Sequence, residues 1–166
     1  MASEQPKAIL FDLDDTIIAF DAVTEGCWRE VCRRFAPRVE GLHPERLYST
    51  ITELRKLNES DNEKHRYMRL NLIKYRRETV SAAFARLGID APDLAKELAD
   101  TYGVERMEAI YLLPGAIDTL KSFKSANLRL ALVTNGTASV QREKIGKYDL
   151  APFFDFILIE EELGFG

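Results

Sequence analysis

The sequence predicts an α/β fold: a parallel-sheet core interrupted, straight after its first strand, by a bundle of helices. Three observations predict it. Ala8 to Phe11 is a short continuous apolar run that ends in Asp12, Asp14 and Asp15, as a buried strand with a polar carboxyl end would. Leu128 to Val133 is a second such run, ending in Thr134-Asn135-Gly136. Between them, over residues 18–111, the apolar spacing changes from the period of strands to that of helices.

The chain opens on a polar lead-in, residues 1–6, with no basic n-region and no apolar h-region of a secretory signal. Its 166 residues are 46% apolar and 30% charged with a formal net charge of −4, an ordinary globular composition. No apolar run approaches the ~20 residues of a membrane helix, and there is no basic arm to suit nucleic acid. The expected location is the cytoplasm. Cys27 and Cys32 match neither a zinc knuckle nor a redox pair and read as reduced thiols on one helix.

The first strand is expected to be buried on both faces. Its acids cost several kcal/mol each to bury unpaired, so they belong at the open carboxyl end, where α/β sheets bind ligands. Three close carboxylates repel one another, and a divalent cation is the simplest compensation. Oxygen-only ligands favour a hard ion such as Mg2+. An EF-hand loop starting at Asp12 would need Gly and Glu where Ile17 and Val23 stand, which excludes it. An acidic turn doubling as a helix N-cap is the plainer alternative.

Five helices are expected next. The first covers 22–36 on Val23, Cys27, Trp28, Val31 and Phe35, stopped by Pro37. Pro44 opens the second at its N1 position, with Leu47, Ile51, Leu54 and Leu57 at helical spacing. A third runs from Asn62 to Arg77, a fourth over 79–87 closed by Gly88, and a fifth over 93–109. The third carries Lys64, His65, Arg66, Arg69, Lys74, Arg76 and Arg77. These read either as contacts to an anionic substrate or, more simply, as a solvated face. His43 and His65 have no carboxylate or Cys at ligand spacing and read as surface residues.

The α/β pattern returns at Leu112. Pro114-Gly115 makes a turn, and residues 116–126 make an amphipathic helix on Ile117, Leu120 and Phe123. The second strand follows, then a short helix over 139–146 and a third strand from Phe153 to Ile159. In a parallel sheet, Thr134-Asn135-Gly136 faces the same crevice as Asp12. A Thr hydroxyl and the following backbone N–H groups suit phosphate oxygens.

The stretch Asp12-Leu13-Asp14-Asp15-Thr16 resembles, position for position, the first signature of the haloacid dehalogenase-like (HAD) hydrolase superfamily, and Thr134 resembles its second. The resemblance implies a Rossmann-like core, residues 1–17 and 112–166, with a helical-bundle cap over 18–111 that closes on the site. It implies that Asp12 is the nucleophile that forms an aspartyl phosphate. Asp14 would be the acid that protonates the leaving group and then the base that activates water. Thr16 supports them, Thr134, Asn135 and Gly136 hold phosphate, and Asp12 with the backbone carbonyl of Asp14 binds Mg2+. An acid at position 14 separates phosphatases from the members that cleave carbon–halogen bonds. The run Thr134-Asn135-Gly136 through Gln141-Arg142-Glu143-Lys144-Ile145 is similar to a subgroup that includes N-acylneuraminate-9-phosphatase and nucleotide-monophosphate phosphatases. The implied substrate is a small phosphorylated metabolite, a sugar phosphate or nucleotide monophosphate, with no nucleic-acid or membrane partner.

The resemblance covers two of the superfamily's four signatures. The third is a Lys soon after a segment like Glu160-Glu161-Glu162-Leu163-Gly164-Phe165-Gly166, and the fourth is a Gly-Asp with a further acid that completes the metal site. The sequence is therefore expected to be a truncated piece, incomplete at the C-terminus, of an enzyme of about 230–250 residues. Alone it is expected to be impaired or inactive, with no earlier lysine in a strand-end context to substitute. The alternative is a non-catalytic binding or regulatory short form that self-associates through the unpaired edge of the first strand. A phospho-receiver, which also uses an acidic cluster, Thr and Lys, is a third reading, disfavoured by the long helical insert.

Overall fold

The computed structural model describes residues 6–59 and 62–164. Most of the polar lead-in (1–5) and the last two residues (165–166) lie outside that range. The chain divides into two compact units, one formed by Met1–Ala22 with Ile110–Gly166 and the other by Val23–Ala109. It is an α/β fold with a parallel core sheet and an inserted helical cap.

The discontinuous unit is built on three parallel strands in the order β1 (Ala8–Phe11), β4 (Arg129–Thr134), β5 (Phe156–Ile159). Ala8 lies opposite Arg129 and Phe11 opposite Leu132, while Thr134 lies opposite Ile159. This register brings the carboxyl ends of all three strands to one edge, as expected. Two further strands of two residues each, β2 (Ile18–Ala19) and β3 (Tyr111–Leu112), pair antiparallel. Both are too short for a periodic signal, which is why the sequence did not disclose them.

One face of the sheet is covered. Leu130, Leu132 and Thr134 are buried, and Phe11 meets Phe123 and Phe154 at ring-centroid distances of 6.1 and 6.2 Å. Phe123 belongs to α6 (Ala116–Ser125). The expectation that β1 is buried on both faces does not hold. Leu10 is 72% exposed, and Phe156 and Val133, on the same face by register, are exposed as well. Among the described residues no layer covers that face, and β1 pairs only with β4.

The helical unit contains α1 (Thr24–Phe35), α2 (Pro44–Glu59), α3 (Asn62–Leu70), α4 (Leu72–Arg86) and α5 (Pro92–Ala109). Pro44 opens α2 as expected, and Pro37 falls in a 3-10 turn, Ala36–Arg38. The break expected after Arg77 is instead at Asn71. Its backbone leaves the helical region (φ −132°, ψ 37°), and its side-chain amide donates to the Tyr67 carbonyl at 3.1 Å. An Asn that satisfies a preceding carbonyl in this way competes with helix continuation, so α4 runs unbroken through residues 78–79. Gly88, at φ 75°, follows its end. The core of this unit joins Trp28, Val31, Leu47, Ile51, Phe84 and Leu98 with their neighbours.

Candidate active site

Beyond Phe11 the chain turns sharply. The amides of Ile17 and Ile18 donate to the Leu13 carbonyl at 3.0 and 3.1 Å, and Asp15 takes a left-handed backbone (φ 55°). Its carboxylate accepts from the amides of Phe20 and Asp21, both at 3.0 Å. Asp15 is therefore spent on the turn. Asp12 and Asp14 remain at the strand end, with Leu13 fully buried between them. Thr16 sits exposed in the same turn.

Asp12 is exposed, and its Oδ1 accepts from the Leu13 amide at 2.7 Å. Partial desolvation by the surrounding loop is the largest influence on its carboxyl and raises the pKa above the ordinary aspartate value. The Leu13 N–H opposes this, the charge of Asp14 adds to it, Lys144 opposes it, and Asp15 adds less. Such a cluster is short of positive charge.

Part of that charge comes from within the chain. Lys144, on α7 (Ala138–Lys147), is 1% exposed. Its Nζ lies 2.8 and 2.7 Å from the two Asp14 oxygens and 3.5 Å from the centroid of the Phe20 ring. One helical turn earlier, buried Gln141 donates from Nε2 to Thr134 Oγ1 at 3.0 Å, to the Asn135 carbonyl, and more weakly to Asp14 Oδ2 at 3.4 Å. Gln141 and Lys144 thus tie the Asp12–Asp14 turn to the Thr134 turn. Neither was singled out for a role from the sequence. The available signal was a Gln and a Lys three apart on the helix after Thr134, which share a face.

The Thr134-Asn135-Gly136 turn is held from its other side. Glu160, 4% exposed, opens α8 (Glu160–Leu163). Its Oε2 accepts from the Gly136 amide at 2.9 Å and from Asn135 Nδ2 at 3.2 Å. Glu161 accepts from the Ala138 amide at 2.6 Å, and Glu162 pairs with Arg142 through two bonds at 2.9 and 2.7 Å. The Gly136 N–H expected to face phosphate is thereby engaged by a carboxylate. Thr134 is 3% exposed, and Asn135 is exposed.

Among the described residues no group of three or more His, Cys, Asp or Glu side chains is arranged to hold a metal. The oxygen donors of Asp12 and Asp14 nevertheless suit Mg2+ in kind, because that ion keeps several waters and takes one or two carboxylates. His43 is exposed, and His65 lies beside Arg69, whose Nη1 is 3.0 Å from its Nδ1. No helix of the described residues is long and apolar enough to cross a membrane.

A model of the haloacid dehalogenase-like hydrolases matches residues 6–166. The chain is 28% identical over 160 residues to a glyceraldehyde 3-phosphate phosphatase of Methanocaldococcus jannaschii, covering 96% of this chain and 64% of that one. It is 26% identical to the pyrimidine 5'-nucleotidase PynA of Streptococcus pneumoniae, covering 95% of this chain and 62% of the relative. The chain therefore spans less than two thirds of the length of these curated relatives. YfnB of Bacillus subtilis, solved bound to magnesium, shares the fold with a TM-score of 0.66 at 22% identity, over 98% of this chain and 67% of that one.

Proposed function

The chain belongs to the haloacid dehalogenase-like hydrolases, and on that premise we propose that it is the part of a Mg2+-dependent phosphatase that carries nucleophile, acid–base group and phosphate turn. The observation that supports this best is the joining of two strand ends. Asp14 and Thr134, from neighbouring parallel strands, meet the same two side chains of α7, Gln141 and Lys144.

In this reading Asp12 attacks phosphorus, and the P–O bond to the leaving group breaks. Asp14 gives that oxygen its proton, then takes one from the water that cleaves the aspartyl phosphate. Thr134 and Asn135 hold the phosphoryl oxygens, with Gly136 shaping their turn and Thr16 supporting the first. Lys144 adds positive charge where the phosphoryl group transfers. The Asp12 carboxylate and the Asp14 backbone carbonyl would hold Mg2+, and the ion would supply positive charge against the phosphate.

The substrate class is a small phosphate monoester, a sugar phosphate or nucleotide monophosphate. The names of the relatives and the run Gln141-Arg142-Glu143-Lys144-Ile145, similar to the N-acylneuraminate-9-phosphatase subgroup, support it. The cytoplasm, where the buried Cys32 stays reduced, suits this role. Phosphate release from glyceraldehyde 3-phosphate, hexose phosphates and nucleoside monophosphates, with and without Mg2+, tests the proposal. In a longer chain that spans its relatives' length, turnover that needs Mg2+ and is lost in Asp12→Asn is expected, with residues 1–166 alone impaired or inactive; turnover unchanged in Asp12→Asn would refute it.

A second reading is favoured by one observation. The edge of β1 left unpaired among the described residues and the exposed Leu10, Val133 and Phe156 suit a binding form that self-associates through the sheet. Sedimentation of the purified chain separates the two, since this reading requires a discrete oligomer.

A further inference from the structure

The turn that joins β4 to α7 offers an anion fewer donors than its backbone suggests. The Gly136 amide is taken by Glu160 and the Ala138 amide by Glu161. The carbonyl of the same Asn135–Gly136 peptide accepts from Gln141 Nε2, so that peptide is fastened at both ends. Two side-chain donors of the turn remain open. One is the second N–H of the Asn135 amide, whose nitrogen already gives a bond to Glu160. The other is the O–H of Thr134.

A threonine hydroxyl has one hydrogen to give and lone pairs to receive, and its rotor settles to suit its neighbours. Gln141 Nε2 donates to Thr134 Oγ1 at 3.0 Å, which fills one acceptor position and turns the O–H away from α7. Among the described residues no acceptor meets that hydrogen. The sense of the Gln141 amide is itself fixed. Its nitrogen faces Thr134 Oγ1, the Asn135 carbonyl and, at 3.4 Å, Asp14 Oδ2. Reversed, the amide would set its oxygen against a carbonyl and a carboxylate, which only accept. Gln141 is 3% exposed, and its Oε1 has no hydrogen-bond partner among the described residues. A buried amide oxygen left unpaired works against stability, so what the nitrogen orients explains the residue better than what the side chain adds to the fold.

We infer that Gln141 is a positioning residue of the phosphatase site, which holds the Thr134 hydroxyl as a donor toward a phosphoryl oxygen of the substrate. The inference rests on the phosphatase reading and adds to it how one phosphate contact is kept in the right sense. Without Gln141 the rotor is released, and the hydrogen no longer has one direction. Thr134 is 3% exposed, and in so sheltered a place a donor fixed before the substrate arrives acts most strongly where charge develops on the transferring group.

Steady-state kinetics of the longer, active chain with p-nitrophenyl phosphate tests this through four enzymes: wild type, Gln141→Met, Thr134→Val and the double variant. Thr134→Val should lower kcat/KM about 10²–10³, the loss of one stabilising donor. Gln141→Met should lower it about tenfold, mainly in kcat, because the donor is loosened and not removed. The double variant should be no slower than Thr134→Val, since no hydroxyl is left to orient. A role confined to the shape of the turn would instead raise KM and multiply with Thr134→Val. If circular dichroism shows Gln141→Met to be misfolded, Gln141→Glu takes its place. Equal in size but an acceptor, it draws the Thr134 O–H to itself and should lower kcat more in the wild-type background than in Thr134→Val. Losses that multiply in the double variant, or a folded Gln141→Met as fast as wild type, would overturn the inference and leave the phosphatase reading standing. Turnover that is absent, or that survives Asp12→Asn, would overturn both.

Discussion

Lys144 and Asp14 form a two-point ion pair across the discontinuous unit, 2.7 and 2.8 Å between Nζ and the two carboxylate oxygens. The pair is lopsided, since the Lys144 side chain is 2% exposed and that of Asp14 25%. Removing Asp14 takes a two-point carboxylate partner from a buried ammonium, whereas removing Lys144 leaves a carboxylate that water can reach. Asp14→Asn should therefore destabilise the fold more than Lys144→Met, with the former approaching the roughly 3–5 kcal/mol of a broken buried pair. Urea unfolding of the two variants checks this, and the reverse order would show that water does not reach Asp14. In the phosphatase reading Lys144→Met should also lower kcat by about 10²–10³, the usual cost of losing one stabilising donor.

Glu160 fastens the Thr134-Asn135-Gly136 turn through Gly136 and Asn135. Glu160→Ala should cost about 1.5–3 kcal/mol, as expected for hydrogen bonds to a charged group. It should also raise KM more than it lowers kcat, because the turn is freed while Asp12 stays in place. Steady-state kinetics beside a thermal melt separates the two effects.

Asp155 accepts from the Leu130 amide at 2.8 Å and from Lys124 Nζ at 3.3 Å. The Leu130 bond first, and Lys124 after it, hold its carboxyl below the ordinary value of 3.8. A depressed folded pKa contributes stability that is present above the unfolded value and is lost as pH falls through the folded one. The loss should therefore begin near pH 3.8 and deepen below it. Asp155→Asn should flatten that acid limb, as measured by denaturant midpoints across the range. An unchanged slope would show that Asp155 is not linked to acid unfolding.

Burial pushes the Cys32 thiol up to about 12, and Cys27, half-buried on the same helix, is raised by desolvation as well. Thiolate is the reactive form. A thiol reagent should accordingly label Cys27 first in the native chain and reach Cys32 only on unfolding, which mass spectrometry after timed quenching resolves. Equal labelling rates would contradict the burial of Cys32.

The sequence disclosed what is local. Ala8 to Thr16 carries strand, turn and acids in one stretch, and Thr134 ends a second strand, so their meeting at one sheet edge needed only parallel pairing. Pro44 marked the start of α2 for a similarly local reason. Lys144 was hidden because its partner lies 130 positions away, and nothing near it in the chain distinguishes it from a solvated lysine. The break at Asn71 depends on one side-chain bond to Tyr67, and the exposure of Leu10 depends on which layers cover the sheet. Neither leaves a periodic trace.

The pairing of Ala8 with Arg129 and Phe11 with Leu132 encloses the whole of residues 23–109 in one loop. That unit is contiguous and has its own core of Trp28, Leu47, Phe84 and Leu98. On the ribosome it is synthesised in full before β4 exists, so β1 leaves the exit tunnel ahead of that unit and is paired only after it. Folding inverts the order of synthesis for this one strand. Its carboxylates come into register only after a long-range closure, and until then four apolar-rich residues wait without a partner. The kinetic hazard of this chain therefore falls on β1, whose apolar residues stay unpaired until β4 arrives.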